Sequence, residues 1–510
     1  MSREVKSSGR ESSILSAVQA YFRGQETMPR EALDVLIVGA GLSGIGAACH
    51  LTRTLTKKTY AILERRDAIG GTWDLFRYPG IRSDSDMSTF GYKFSPWRAP
   101  KVLADGPSIK RYVTETAETH GIVPHIRFGR KVVRAEWSSV QSQWTVTAHD
   151  AAKGAEETYT ARFLIAATGY YSYDAGYSPE FPGRDQFKGV VVHPQQWPEN
   201  LGYAGKKVIV IGSGATAITL VPTLAAGGAY VTMLQRSPTY VVSVPEIDPL
   251  WRALSHVLPL KMVYAATRIK NIVLQRVMYV ASRRWPTLMR RLLHKETRRQ
   301  LGDSVDIKHF SPRYNPWDER LCVVPDGDLF RALRAGKARI VTDTIKTFDK
   351  TGIQLNSGEH LEADIIVTAT GLNLQLFGGA ELIVDGKRIS IKEHMYFKGM
   401  MVSDIPNLLT ILGYTNASWT LKADIICEHF LRMVSYLDKK GLKVVTPRAK
   451  GVKRTDETVM GGLGSGYVRR GADSIPRQGD RAPWKLLNDY LRDVVALKLG
   501  SVCHSDLEFR

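Results

Sequence analysis

Twice along this chain a short apolar run breaks at a glycine-rich turn and resumes at helical spacing. Few folds accommodate that pattern. The first instance is LDVLIVGAGLSGIGAACHL, residues 33–51. Leu33 to Val38 has the unbroken apolar character of a strand buried on both faces of a parallel sheet. Gly39, Gly41 and Gly44 then form GxGxxG. In that pattern the first glycine permits the turn and the second lets backbone approach a pyrophosphate. The third lets the helix lie close against the strand. The pyrophosphate rests on the free amides of the helix N-terminus. The second instance is KKVIVIGSGATAITLVPTL, residues 206–224, where Gly212, Gly214 and Ala217 give GxGxxA. Two such units predict an α/β chain with two Rossmann-like domains, each built for a dinucleotide.

The next strand of each unit separates the two ligands. YAIL ends in Glu64, twenty residues after Gly44. An acid there suits a ribose hydroxyl pair and repels a 2′-phosphate, so the first loop is read as holding FAD or NAD. YVTML ends instead in Gln235, Arg236 and Ser237. A cation and a hydroxyl fit a 2′-phosphate, so the second loop is read as holding NADPH. An unliganded glycine turn and an ordinary surface arginine are the plain alternatives. FLIAATG (163–169) and DIIVTATG (364–371) are apolar strands ending in Thr-Gly. In a two-dinucleotide flavoprotein such strands close one domain and cross to the other.

The expected organisation is discontinuous. An FAD-binding domain takes 31–175 and 380–510, and an NADP-binding domain takes 185–245 and 300–375. A basic helical insertion, 246–299, interrupts the second domain. Residues 1–30 read as a flexible arm, with ILSAVQAYF able to form one short helix; the polar start does not resemble a secretory leader. Residues 251–300 hold twelve of the chain's Lys and Arg residues against one acid, Glu296, within a formal net charge of +20. A solvated helical face is the plain reading, and peripheral contact with an anionic membrane is the sharper one. Ile269, Ile272, Val273, Val277 and Val280 share a face there, interrupted by Arg276, and Pro259 and Pro286 suggest helix breaks. No nucleic-acid-binding module accompanies the charge. The four cysteines, at 49, 322, 427 and 503, form no CxxC pair. That excludes a zinc site of the usual spacing, fits a reducing, cytoplasmic location, and removes the cysteine pair a flavin disulfide reductase needs.

FKGVVVHPQQWP, 187–198, carries Phe187, Gly189, His193, Trp197 and Pro198. It resembles the FxGxxxHxxxW fingerprint of the Baeyer–Villiger monooxygenases. GGTWDLFRYPGIRSD, 70–84, matches a second pattern of that family through Gly71, Trp73, Tyr78, Pro79, Gly80 and Asp84. The resemblance spans roughly 31–440. Stretches such as YNPWDERLCVVP and GYTNASWTLKAD narrow it to a branch acting on thioamides. It implies FAD and NADPH as cofactors, molecular oxygen as co-substrate, and oxygen insertion into ketones through a C4a-peroxyflavin. Sulfides and thioamides are implied as further substrates. The nearest alternative is a flavin-containing N- or S-monooxygenase with little ketone activity.

The resemblance also implies roles. Arg320 is the catalytic cation, whose charge does not titrate away, and Asp84 is its partner; Asp86 is the rival carboxylate. Trp73 belongs to the flavin site. Asn416 and Ser418 are cap candidates for a helix whose positive end faces the flavin. His193 is read as a structural or gating residue of the linker, not a base. One departure stands out: several family members carry lysine where this chain has Glu319, which leaves the NADPH preference to Arg236 and Ser237.

Overall fold

The computed structural model describes residues 32–510. The arm expected at 1–30, with its short helix, lies outside the described residues. Strands and helices are numbered in chain order. The larger sheet contains β1 (Ala32–Val38), β2 (Tyr60–Leu63), β3 (Ile126–Arg127), β4 (Arg130–Ser138), β5 (Gln143–Asp150) and β6 (Ala155–Ala166). It is completed by β12 (Glu381–Val384), β13 (Lys387–Arg388) and β14 (Leu408–Thr410). The order is β13-β12-β4-β5-β6-β1-β2-β3, with β14 also paired to β6. β1 lies parallel to both β2 and β6, with Val35 opposite Tyr60 on one side and Phe163 on the other. The continuous apolar run of β1 has this cause: it is central, and Val35, Leu36 and Ile37 are fully buried.

The second sheet runs β10-β9-β8-β11-β7, all parallel. Its members are β7 (Val190–Val192), β8 (Lys207–Ile211), β9 (Tyr230–Gln235), β10 (Ala338–Thr342) and β11 (Ile365–Thr368). In each sheet the strand before the glycine turn has its successor on one side and a much later strand on the other. That topological switch opens a crevice at the strand's carboxyl end. Helix α1 (Leu42–Thr54) follows β1, and α2 (Ala215–Ala226) follows β8.

Both halves close their glycine turn with the same device. Gly39 has φ +104°, and a Cβ there would stand 2.7 Å from the Ala167 carbonyl oxygen. Gly212 has φ +140°, and a Cβ would stand 2.3 Å from the Ala369 carbonyl oxygen. Ala167 and Ala369 belong to the two Ala-Thr-Gly turns, so each turn seats the nucleotide loop of its own half. The two crossings between halves then run side by side. Ser172 N donates to Asn373 O at 2.8 Å and Gln375 N to Tyr170 O at 3.0 Å.

The region between β9 and β10 folds largely as helix, including α3 (Leu260–Arg284) and α4 (Pro286–Leu301). Pro259 precedes α3, and Pro286 is its first-turn counterpart in α4, where a missing N–H costs nothing. The inward face of α3 sets polar groups beside the buried Val263 and Tyr264. Arg268 donates to the carbonyls of Ser88 and Gly91, both at 2.8 Å, and Asn271 Nδ2 donates to Asp86 at 2.7 Å. Although inserted among strands of the smaller sheet, α3 is therefore docked on the half that carries β1. Ile269, Val273, Val277 and Val280 point outward and are exposed.

Candidate functional site

A cavity of about 320 Å³ lies between the two halves. Gly39, Gly41, Glu64, Trp73, Asp84 and Arg320 all line it. They come from β1, β2, the loops after β2 and a loop before β10, so only the assembled fold brings them together.

The dinucleotide cradle on the β1 side is formed by close backbone contacts. A Cβ on Gly44 would stand 1.8 Å from the Gly39 carbonyl oxygen, and one on Gly71 2.9 Å from Gly41 Cα. Side chains are thereby kept from the surface where a pyrophosphate approaches α1. Glu64 is 3% exposed. Its carboxylate accepts from Ala40 N at 2.7 Å and Arg66 N at 2.9 Å, which aims it across the glycine turn. Burial raises its pKa, and the two backbone N–H bonds oppose that shift. An oriented acceptor at this place has the chemistry that ribose hydroxyls need. Trp73 meets Phe90 edge to face at 5.7 Å.

Arg320 Nη2 donates to Asp84 Oδ1 at 3.1 Å, each side chain about one third exposed (34% and 32%). Asp84's charge is the first cause of the raised Arg320 pKa, so the guanidinium stays charged. The pair spans 236 residues of sequence. Asp86, the rival, is occupied elsewhere: it caps a short helix through Thr89 and accepts from Asn271 and Gln275. Two tyrosines not singled out in the sequence join Arg320. Tyr170 stacks on Trp419 at 5.4 Å, and Tyr467 lines the cavity together with Met460 and Leu463 of the same C-terminal segment. Burial raises both phenol pKa values while the charge of Arg320 opposes it, so both enter as neutral hydroxyls. The paired aromatics at 170–171, directly after a Thr-Gly turn, were a usable signal; Tyr467 had none.

Helix α5 (Trp419–Lys440) begins at the cavity, where Gly413, Tyr414, Thr415 and Ala417 form the wall. Its cap position is Ser418, whose hydroxyl engages that of Thr89 at 2.5 Å and makes no bond to the helix amides. The first-turn amides and positive end of α5 are thus left to the cavity side. Asn416 is placed differently from the sequence expectation. Its Nδ2 donates to Asn488 O at 2.8 Å, and the side chain lines a small neighbouring cavity, not the large one. The physical reason is a competing acceptor in the C-terminal segment.

On the second loop, Ala215, Thr216 and Thr219 reach the cavity wall, whereas Gly212, Gly214 and Ala217 lie outside its lining. Arg236 and Ser237 are exposed at the end of β9, and Ser213 Oγ donates to Ser237 O at 2.9 Å. Arg470 lies over the Tyr177 ring at 3.5 Å. Its pKa is lowered, by burial first, with the charges of Arg236 and Arg469 also lowering it. Three arginines therefore share one region, an arrangement that favours an anion between them. Arg469 and Arg470 escaped the sequence reading because they arrive from a distant, aperiodic segment. The departure at Glu319 sits in the same field: burial raises its pKa while Arg469 and Arg236 oppose the shift.

The fingerprint residues stand outside the cavity lining. Phe187 is buried and meets Phe348 at 6.5 Å. A Cβ on Gly189 would lie 2.3 Å from Asp364 O, so the linker passes too close for any side chain. His193 Nδ1 accepts from Gln195 N at 3.2 Å, which leaves Nε2–H to donate to Gly371 O at 3.3 Å. Burial lowers its pKa. This neutral histidine ties the linker to the second Thr-Gly turn. Trp197 is partly buried against the core that contains Val208 and Val210 of β8, and Pro198 O accepts from Leu201 N.

Residues 32–421 match the flavin-binding monooxygenase-like family. The chain belongs to that family. It is 55% identical over 468 residues to the putative FAD-containing monooxygenase MymA of Mycobacterium tuberculosis, covering 91% of this chain and 94% of the relative. It is 52% identical over 481 residues to the FAD-containing monooxygenase EthA of the same species, covering 94% and 98%. The probable FAD-binding monooxygenase AlmA of Acinetobacter baylyi is 52% identical over 467 residues, covering 91% and 94%. Among solved structures, an oxidized steroid monooxygenase bound to NADP shares the fold at TM-score 0.74 and 22% identity, covering 94% of this chain and 99% of that one. OTEMO in complex with FAD and NADP aligns at TM-score 0.70 and 20% identity, covering 94% and 100%. The two-dinucleotide α/β architecture of this family member is therefore the one its two glycine turns predict.

Proposed function

We propose that this family member is an FAD-dependent, NADPH-consuming Baeyer–Villiger monooxygenase. It inserts one oxygen atom from molecular oxygen into ketones to give esters or lactones, and also oxidises sulfides and thioamides. The observation that carries this reading is the Arg320–Asp84 pair, held at 3.1 Å on the wall of the cavity between the two dinucleotide loops. Bound FAD supplies hydride acceptance and oxygen activation. The chain's residues do the rest. Glu64 and the Gly39–Gly44 turn bind and orient the dinucleotide. Arg320 holds a fixed positive charge where negative charge develops on oxygen, and Asp84 fixes the direction of its fork. Tyr170 and Tyr467 cover the guanidinium and limit water.

The test is to reduce the purified yellow protein with NADPH without oxygen, admit air with a panel of ketones, and separate ester from hydrogen peroxide. Ester formation supports the reading; NADPH oxidation giving sulfoxides but no ester from any ketone would make it an S-oxygenase instead.

The cofactor preference gives a separate prediction. Arg236→Ala is expected to lower kcat/KM for NADPH by about 10- to 100-fold, the worth of one charge-assisted hydrogen bond. NADH should be used almost as before. Arg470→Ala should act in the same direction. Equal losses with both nucleotides would remove Arg236 from the 2′-phosphate site.

A further inference from the structure

The outward side of α3 contradicts the usual rule for a surface helix. Its polar residues Thr267, Arg268 and Asn271 are buried together with Val263 and Tyr264, while the apolar Met262, Ile269, Val273 and Val280 face away from the protein. A second stripe lies across a small cavity. Leu487, Leu491, Val495 and Leu499 recur at every fourth position and are also exposed. The exposures of these eight side chains run from 42% to 74%. The two stripes are neighbours: Ile272 and Tyr279 line that cavity together with Tyr490 and Leu491, and Arg276 pairs with Asp489 at 3.0 Å. Ala417 lines this cavity and the large one alike.

Charge decides what covers the face. Arg252, Lys261, Arg284, Arg291, Lys295 and Arg298 are exposed and have no acidic partner among the described residues. The single acid between 251 and 300, Glu296, is taken by Arg299. A second copy of this chain would bring like charges together across a symmetric contact. Anionic lipid headgroups would neutralise them while the apolar side chains entered the acyl boundary. None of the described helices is long and apolar enough to cross a membrane. We infer that the outer face of α3, with the 487–499 stripe, docks the enzyme peripherally on an anionic bilayer. The small cavity then lies between the two docked stripes, beside the flavin-side wall.

Co-sedimentation of the full-length holoprotein with vesicles tests this without any turnover, so its outcome is independent of the proposed reaction. Binding to mixed phosphatidylcholine–phosphatidylglycerol vesicles is expected at low salt, with little to phosphatidylcholine alone. It should weaken as the Debye length falls from about 30 Å at 0.01 M to about 8 Å at physiological salt. Arg284→Glu with Arg291→Glu and Lys295→Glu should lower the partition constant by about tenfold or more. Ile269→Ser with Val273→Ser and Leu491→Ser should lower it too, with flavin absorbance and circular dichroism unchanged. No binding at low salt, equal binding to neutral vesicles, or binding untouched by both variants would overturn the inference. So would a parent dimer that Val273→Asp dissociates, or binding that depends only on residues 1–31.

Discussion

Arg320→Ala is expected to leave anaerobic flavin reduction by NADPH within a few-fold of the parent and to lower ester formation by about 10²- to 10³-fold. That is the usual cost of removing one fixed group that stabilises developing oxyanion charge. The separation of the two half-reactions follows from position. Arg320 pairs with Asp84 across the cavity, whereas the arginines grouped around the second loop are 236, 469 and 470. Arg320→Lys should recover only part of the loss, because an ammonium keeps the charge but not the fork that serves Asp84 and a reacting oxygen together. Asp84→Asn should resemble a weakened form of the same defect. Rapid-mixing absorbance for reduction, with chromatography for the ester, checks the split. Reduction falling in parallel with ester formation would mean that Arg320 positions NADPH instead.

The second large effect is structural. Gly44→Ala should abolish stable flavin binding and destabilise the fold by at least about 1–3 kcal/mol, the cost of forcing extra carbon into a packed site. The added Cβ would stand 1.8 Å from the Gly39 carbonyl oxygen, a backbone atom that cannot swing aside as a side chain could. Gly214→Ala is the informative contrast. Apart from its own adjoining backbone, nothing lies within 4 Å of a Cβ there. It should fold and keep its flavin, so any rise in KM for NADPH reports the approach of the nucleotide itself. Flavin content by absorbance and thermal unfolding measure both variants. Full flavin content in Gly44→Ala would contradict the close strand–helix packing described for β1 and α1.

Local and distant parts of the site differ in how far the chain itself reveals them. The glycine turns, Glu64 and Arg236 lie in local patterns whose spacing follows from strand–turn–helix geometry, so their placement needed no distant partner. The Arg320–Asp84 pair was accessible only through resemblance, because nothing local joins residues 236 positions apart. Asn416 was misplaced because a helix-cap pattern cannot show that Asn488 O competes for its amide. Tyr467 and Arg470 come from an aperiodic segment whose path over the cavity is set by tertiary packing. The stripe on α3 was visible as periodicity, but its direction was not. Periodicity marks a face without saying where it points, and here the carboxylate of Asp86 and the carbonyls of Ser88 and Gly91 draw the polar face inward.

Turnover under dioxygen labelled with heavy oxygen, followed by mass spectrometry of the product, tests most directly the proposed transfer of one oxygen atom to a ketone at the cavity holding Arg320. The expected result is an ester or lactone carrying one labelled oxygen, formed in step with NADPH consumption and lost in Arg320→Ala. NADPH consumption that yields only labelled hydrogen peroxide, with every ketone recovered unchanged, would contradict it.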